Sequence, residues 1–91
     1  MYRNQINRLR KTFSEAYDND DVIKAILTGE RILKLYNTNK GSDTLFFSDD
    51  AYNLACAYSK EGRFSKAAAL FKKSADIVEK IHGKNLDYSR I

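Results

Sequence analysis

With 91 residues, 43% of them apolar and 31% charged, the chain has the composition of one ordinary globular domain and too much apolar content to stay unfolded. Its formal charge of +4 is local: Arg3, Arg8, Arg10 and Lys11 precede the first acid, Glu15, and the other 12 bases match the 12 acids, so composition excludes a chain-wide polyanion-binding surface. Cys56 is the sole cysteine, which excludes an internal disulfide and a multi-cysteine metal cage.

Ile6, Leu9, Phe13, Ala16 and Tyr17 recur at three- and four-residue steps and predict a first helix. Asp18-Asn19-Asp20-Asp21 is the turn after it, with Asp20 expected to cap the second helix. The acidic run does not continue into a calcium loop, because Ile23 stands where the turn glycine belongs and Gly29 where the closing glutamate belongs. Val22, Ile26, Ile32, Leu33 and Leu35 mark the second helix. The polar stretch ending in Gly41 stops it, and Ser42 or Asp43 is expected to cap the third.

Phe47, Ala51, Leu54, Ala55 and Tyr58 form the apolar face of the third helix, and Gly62, after Lys60-Glu61, is expected to end it in a left-handed conformation. Phe64, Ala67, Phe71, Ala75 and Val78 predict the fourth helix, which Gly83 stops. No segment alternates with period two, so the predicted fold class is all-α. No stretch approaches the roughly 18 apolar residues of a membrane span, and the N-terminus lacks the apolar run of a secretory signal. The expected setting is the cytoplasm, with no membrane, metal or cofactor.

Laid over itself at an offset of 42, the chain places Gly41 on Gly83, Ala25 on Ala67, Leu35 on Ile77, Val22 on Phe64 and Asp20 on Gly62. A fixed period of this length marks stacked supersecondary units. The boundaries read from it are one unit over about 2–41, a second over about 43–84, and a truncated third over about 85–91, with Tyr88 and Ile91 as its first apolar residues.

Tyr52-Asn53-Leu54-Ala55, Ala57-Tyr58, Gly62, Phe64, Ala67, Phe71 and Ser74 together resemble a tetratricopeptide repeat. The extension Ile77-Val78-Glu79-Lys80-Ile81-His82-Gly83-Lys84 is similar to the longer, kinesin-light-chain variety. The resemblance implies a right-handed superhelical stack of antiparallel helix hairpins, about four helices and the start of a fifth. In this arrangement Ala55 and Ala67 permit close approach, while Tyr58, Phe64 and Phe71 fill the space beside them.

It further implies a scaffold that binds a peptide or partner protein along the concave face of its first helices. By match to the family's groove-facing positions, the candidate contacts are Asn7, Arg10, Lys11, Ser14, Asp49, Tyr52, Asn53, Cys56 and Lys60. Asn53 leads, because an amide both donates to and accepts from a peptide backbone whatever its sequence. Arg10 and Asn53 also match part of the clamp with which some members hold a terminal carboxylate, although Ser14 stands where an asparagine is expected and the third repeat's basic residues are missing.

Ile77 and Ile81 are expected on an uncovered face of the last helix that favours self-association. The alternative reading is an oligomerisation or sensory segment of a larger regulator. Nucleic acid is the minor reading, resting on the basic first helix alone, since the six tyrosines form no single stacking platform. Catalysis is not expected. Cys56, between Ala55 and Ala57, reads as a packing residue, and His82 as a helix-end residue.

Overall fold

A computed structural model describes residues 2–41 and 44–83. They form four α-helices, α1 (Tyr2–Asp18), α2 (Val22–Thr38), α3 (Leu45–Lys60) and α4 (Phe64–His82), and no strand occurs among the described residues. The expected all-helical class is therefore observed. The truncated third unit expected over about 85–91, with Tyr88 and Ile91, lies outside the described residues.

The first three helices end alike. In each, the second residue past the helix adopts a left-handed conformation: Asp20 (φ 62), Lys40 (φ 58) and Gly62 (φ 82). The next residue's N–H then reaches back five positions, Asp21 to the Ala16 carbonyl, Gly41 to that of Tyr36 and Arg63 to that of Tyr58, satisfying carbonyls the helix leaves open. Two corrections follow. Asp20 is the corner of this turn and not a cap, so Asp21 caps α2, its side chain accepting from the Lys24 N–H. At α3 the cap is Thr44, which accepts from the Phe47 N–H; Ser42 and Asp43 lie outside the described residues.

Contacts along the helices show how they run. Tyr2 meets Tyr36, and a Cβ on Gly29 would touch Phe13, so α1 and α2 are antiparallel. Tyr36 meets Phe47 while Glu30 meets Tyr58, and Ser48 meets Ser74 while Tyr52 meets Phe71, so each later helix also reverses its predecessor. One core threads all four, from Ile6, Phe13 and Ala16 through Ile26 and Ile32 to Phe47 and Leu54, with Ile77 at its far end. Burying each large apolar side chain stabilises the fold by about 1.5–3 kcal/mol.

Small residues set the spacing. A Cβ on Gly29 would lie 2.8 Å from Leu54 Cδ1 and 3.2 Å from Phe13 Cε2, so the hydrogen there lets α1, α2 and α3 converge. Between α3 and α4, Ser48 Oγ donates to the Ser74 carbonyl at 3.0 Å and Ser74 Oγ to the Ser48 carbonyl at 2.9 Å. Both serines are buried, and their reciprocal bonds satisfy hydroxyls that would otherwise be costly in the core.

The expected face of α3 is the buried one throughout, but that of α4 is rotated. Ala67, Ser74 and Ile77 are buried with Leu70 beside them, whereas Phe64 is 69% exposed, Ala75 is exposed, and Phe71 and Val78 are half-buried. Phe64 therefore does not fill the space beside Ala55 and Ala67. A period of 3.6 marks a stripe without saying which neighbour meets it, and α3 meets the stripe a step round from Phe64. For the same reason Ile77 belongs to the core at 6% exposure, and only Ile81, at 44%, lies on the open surface proposed for self-association.

Candidate functional site

α1 and α3 both pack on α2 and lie side by side, running the same way. Arg3 sits over the Phe46 ring at 5.4 Å, Arg10 pairs with Asp50, and Lys60 pairs with Asp20 at 2.7 Å while resting on the Tyr17 ring at 4.6 Å. Both ion pairs join residues 40 positions apart. Between these stitches a groove is left open. Its upper hollow, about 200 Å³, lies among Tyr2, Arg3, Asn7, Arg10 and Phe46; its middle, about 340 Å³, among Arg10, Ser14, Phe46, Asp49 and Asn53; its lower end, about 260 Å³, among Ser14, Tyr17, Asn53 and Cys56. Shared linings make the three continuous.

The centre of the groove floor is ionic. Asp50 follows Phe47 by three and precedes Leu54 by four, so it occupies a core position of α3, and its side chain is 5% exposed. A carboxylate there needs partners. Arg10 Nε donates to Oδ1 at 2.9 Å and Oδ2 at 3.1 Å, Arg10 Nη2 donates to Oδ2 at 2.7 Å, and the Tyr36 hydroxyl donates to Oδ2 at 2.7 Å. Arg10 Nη2 also donates to the Tyr36 oxygen at 2.8 Å. The bond to Asp50 raises the Arg10 guanidinium above its usual range against the opposing effect of burial, and burial together with the Asp50 contact raises the Tyr36 hydroxyl. Three residues from three helices thus form one closed network.

This places the expected contact residues as follows. Asn7, Arg10, Ser14, Asp49, Asn53 and Cys56 line the groove together. Arg10 does so with its fork spent on Asp50; its remaining Nη1 donates to Asn7 Oδ1 at 3.3 Å, so the arginine is a structural tie and not a free clamp for a carboxylate. Lys11 is exposed but lines none of the three hollows. Tyr52 is 53% exposed with its ring set edge-on to Phe71 of α4 at 5.1 Å, away from α1. Lys60 is committed to Asp20 and Tyr17. Ser14, Asp49 and Asn53 make no side-chain hydrogen bond or ion pair among the described residues, and they meet around the middle hollow.

Two features of the groove escaped the sequence reading. Phe46 is 52% exposed and walls both upper hollows with the guanidiniums of Arg3 and Arg10 near its ring. The signal was present, since Leu45-Phe46-Phe47 puts three large apolar residues in succession and one helix face cannot bury all three. The other feature is the Asp50 network, signalled by an acid at a core position of the apolar period.

Cys56 and His82 are not brought together. With Ser48 opposite Ser74 and Tyr58 near Lys66, the residue of α4 level with Cys56 is close to Ala67, and His82 lies about 20 Å further along that helix. Burial pushes the Cys56 thiol above its ordinary value, away from the reactive thiolate. Among the described residues no three His, Cys, Asp or Glu side chains could hold a metal ion, and no helix is long and apolar enough to cross a membrane. Set against protein-family models, curated proteins and solved structures, the chain finds no match.

Proposed function

We propose that the chain is a tetratricopeptide-like scaffold, a right-handed stack of two helix hairpins, that holds a segment of a partner protein in the groove between α1 and α3. The observation that carries this reading is the middle of that groove. There a hydroxyl, a carboxylate and an amide, from Ser14, Asp49 and Asn53, surround an open hollow with no bonds of their own beside an exposed phenylalanine. Such a set serves an extended peptide: Asn53 pairs with its backbone, Phe46 takes an apolar side chain, and Asp49 favours a cation near the centre. The parallel α1 and α3, joined by ion pairs 40 positions apart, also support the two-unit organisation over 2–41 and 43–84. In this reading the chain is not an enzyme.

The test is affinity capture from cell lysate with the wild-type chain beside an Asn53→Ala, Asp49→Ala double variant, followed by mass spectrometry. Partners held by the groove should be lost from the variant while its helicity stays unchanged. Retention of the same partners in equal yield would refute the assignment.

A second reading, assembly with further copies or with the rest of a regulator through α4, is favoured by Phe64 at 69% exposure and Ile81 at 44%. Sedimentation of the wild type beside Phe64→Ser, Ile81→Ser separates it: a concentration-dependent species that the variant lacks supports assembly, and a monomer throughout opposes it.

A further inference from the structure

A second trough lies on a different face of α3, where α2 and α4 both pack on that helix without closing on each other. It has a cavity volume of about 390 Å³ and a floor formed by Leu33, Leu54 and Leu70 with the methyl group of Ala69. Leu54 is buried, and Leu33 and Leu70 are half-buried. The walls repeat one pattern. On α2, Glu30, Leu33, Lys34 and Asn37 face the trough at steps of three, one and three; on α4, Lys66, Ala69 and Leu70 do the same, and Lys73 continues that face to the ring of Phe47 at 5.5 Å.

Three lysines against one acid make the charge on this rim net positive. Lys34, Lys66 and Lys73 are exposed and none is in an ion pair among the described residues. The one acid, Glu30, accepts from the Tyr58 hydroxyl at 2.5 Å, which holds its carboxylate toward Tyr58 on α3 without cancelling its charge. An apolar floor inside a basic rim selects a ligand with apolar side chains at its centre and acids at its edges. Conformation follows from the floor's chemistry. An extended strand laid over leucine and alanine side chains finds few acceptors for its backbone N–H groups, whereas a helix satisfies its own. Two turns of helix span about 11 Å, close to the length of wall from residue 30 to 37, about 10 Å.

We propose that the trough between α2 and α4 docks an amphipathic helix of a partner protein, its apolar side chains seated on Leu33, Leu54 and Leu70 and its flanking acids on Lys34, Lys66 and Lys73. This surface shares no residue with the groove between α1 and α3 and does not depend on it.

The test uses a fluorescein-labelled helical probe of about sixteen residues, with leucine at i, i+3, i+4 and i+7 and glutamate on both flanks. A second probe has every glutamate replaced by lysine, and vesicles of phosphatidylglycerol form a third arm. At about 20 mM salt the wild-type chain should bind the glutamate probe at least about tenfold more tightly than the lysine probe, and more weakly as salt rises. Ala69→Glu, which puts a like charge and extra bulk on the floor, and Lys34→Glu, at an exposed site, should each weaken binding about tenfold. Asn53→Ala should leave it unchanged. Circular dichroism melts confirm that the variants fold, and Lys34→Glu serves should Ala69→Glu fail to. Absence of binding to the glutamate probe, equal affinity for the two probes, indifference to both substitutions, or binding to vesicles alone would each overturn the proposal.

Discussion

Removing either partner from the Arg10–Asp50 pair tests whether this network holds the first hairpin to the second. The Asp50 side chain is 5% exposed and that of Arg10 is 35% exposed. Arg10→Ala leaves this nearly buried carboxylate with the Tyr36 hydroxyl as its one remaining partner, and breaking a buried pair in this way costs about 3–5 kcal/mol. Asp50→Ala strands a guanidinium that is one-third open to solvent and can rehydrate, so its cost is discounted to about 2 kcal/mol.

For a domain of this size the total stability is of order 5–14 kcal/mol, and each kcal/mol lost lowers Tm by about 4–8 °C. Arg10→Ala should therefore lower Tm by more than about 12 °C, and Asp50→Ala by less. The double replacement Arg10→Met, Asp50→Leu, which removes both charges and leaves only the Tyr36 hydroxyl unpaired, should cost about 1–3 kcal/mol, less than the two single costs together. Urea denaturation followed by helical circular dichroism reads all three. If the single variants each cost under about 1 kcal/mol, or if the double variant costs the sum of the singles, the pair is not the buried tie described here.

Three further outcomes are expected. Gly29→Ala should destabilise by about 1–2 kcal/mol in the same assay, because the added methyl meets Leu54 at 2.8 Å and Phe13 at 3.2 Å and this overpacking outweighs a gain of about 1 kcal/mol in helix propensity; a stabilised variant would show that the helices can part. The Tyr58 hydroxyl is pushed up to about 12, by burial and then by its bond to Glu30, from an ordinary value of 10.0. Its raised value stabilises the fold fully below pH 10, and this contribution is lost as pH rises through 12, so denaturation of wild type and Tyr58→Phe should show the difference between them narrowing across that window. Cys56, raised by burial alone, should react with iodoacetamide at pH 8 several-fold more slowly than free cysteine; an equal or faster rate would mean an activated thiol.

Much of this arrangement was legible in the residues. The four helices, the left-handed Gly62 and the apolar part of the buried face of α3, from Phe47 to Tyr58, follow from period and punctuation, whereas the buried Ser48 and Asp50 on the same helix carry no apolar signal. Where covering is partial, the pattern misleads: α4 offers two apolar stripes, one through Phe64 and Phe71 and one through Ala67, Ser74 and Ile77, and only the packing partner decides between them. Local turn chemistry misled by one residue at Asp20, since an aspartate serves equally as a cap and as a left-handed corner. For the groove, six of the expected contacts converge, but the role of Arg10 was beyond local reading. Its fork is spent on a residue 40 positions away, and a cation is assigned to solvent until its counterion is found.

The seam between α1 and α3 bears on how the molecule comes apart. Arg3 on Phe46, Arg10 on Asp50 and Lys60 on Asp20 fasten the two hairpins near the top, in the middle and at the bottom. A zipper fixed at a single tooth opens gradually from its free end, but one pinned along its whole length yields all at once. The two hairpins cannot part along this seam without exposing Asp50, so they should separate and melt in one concerted event.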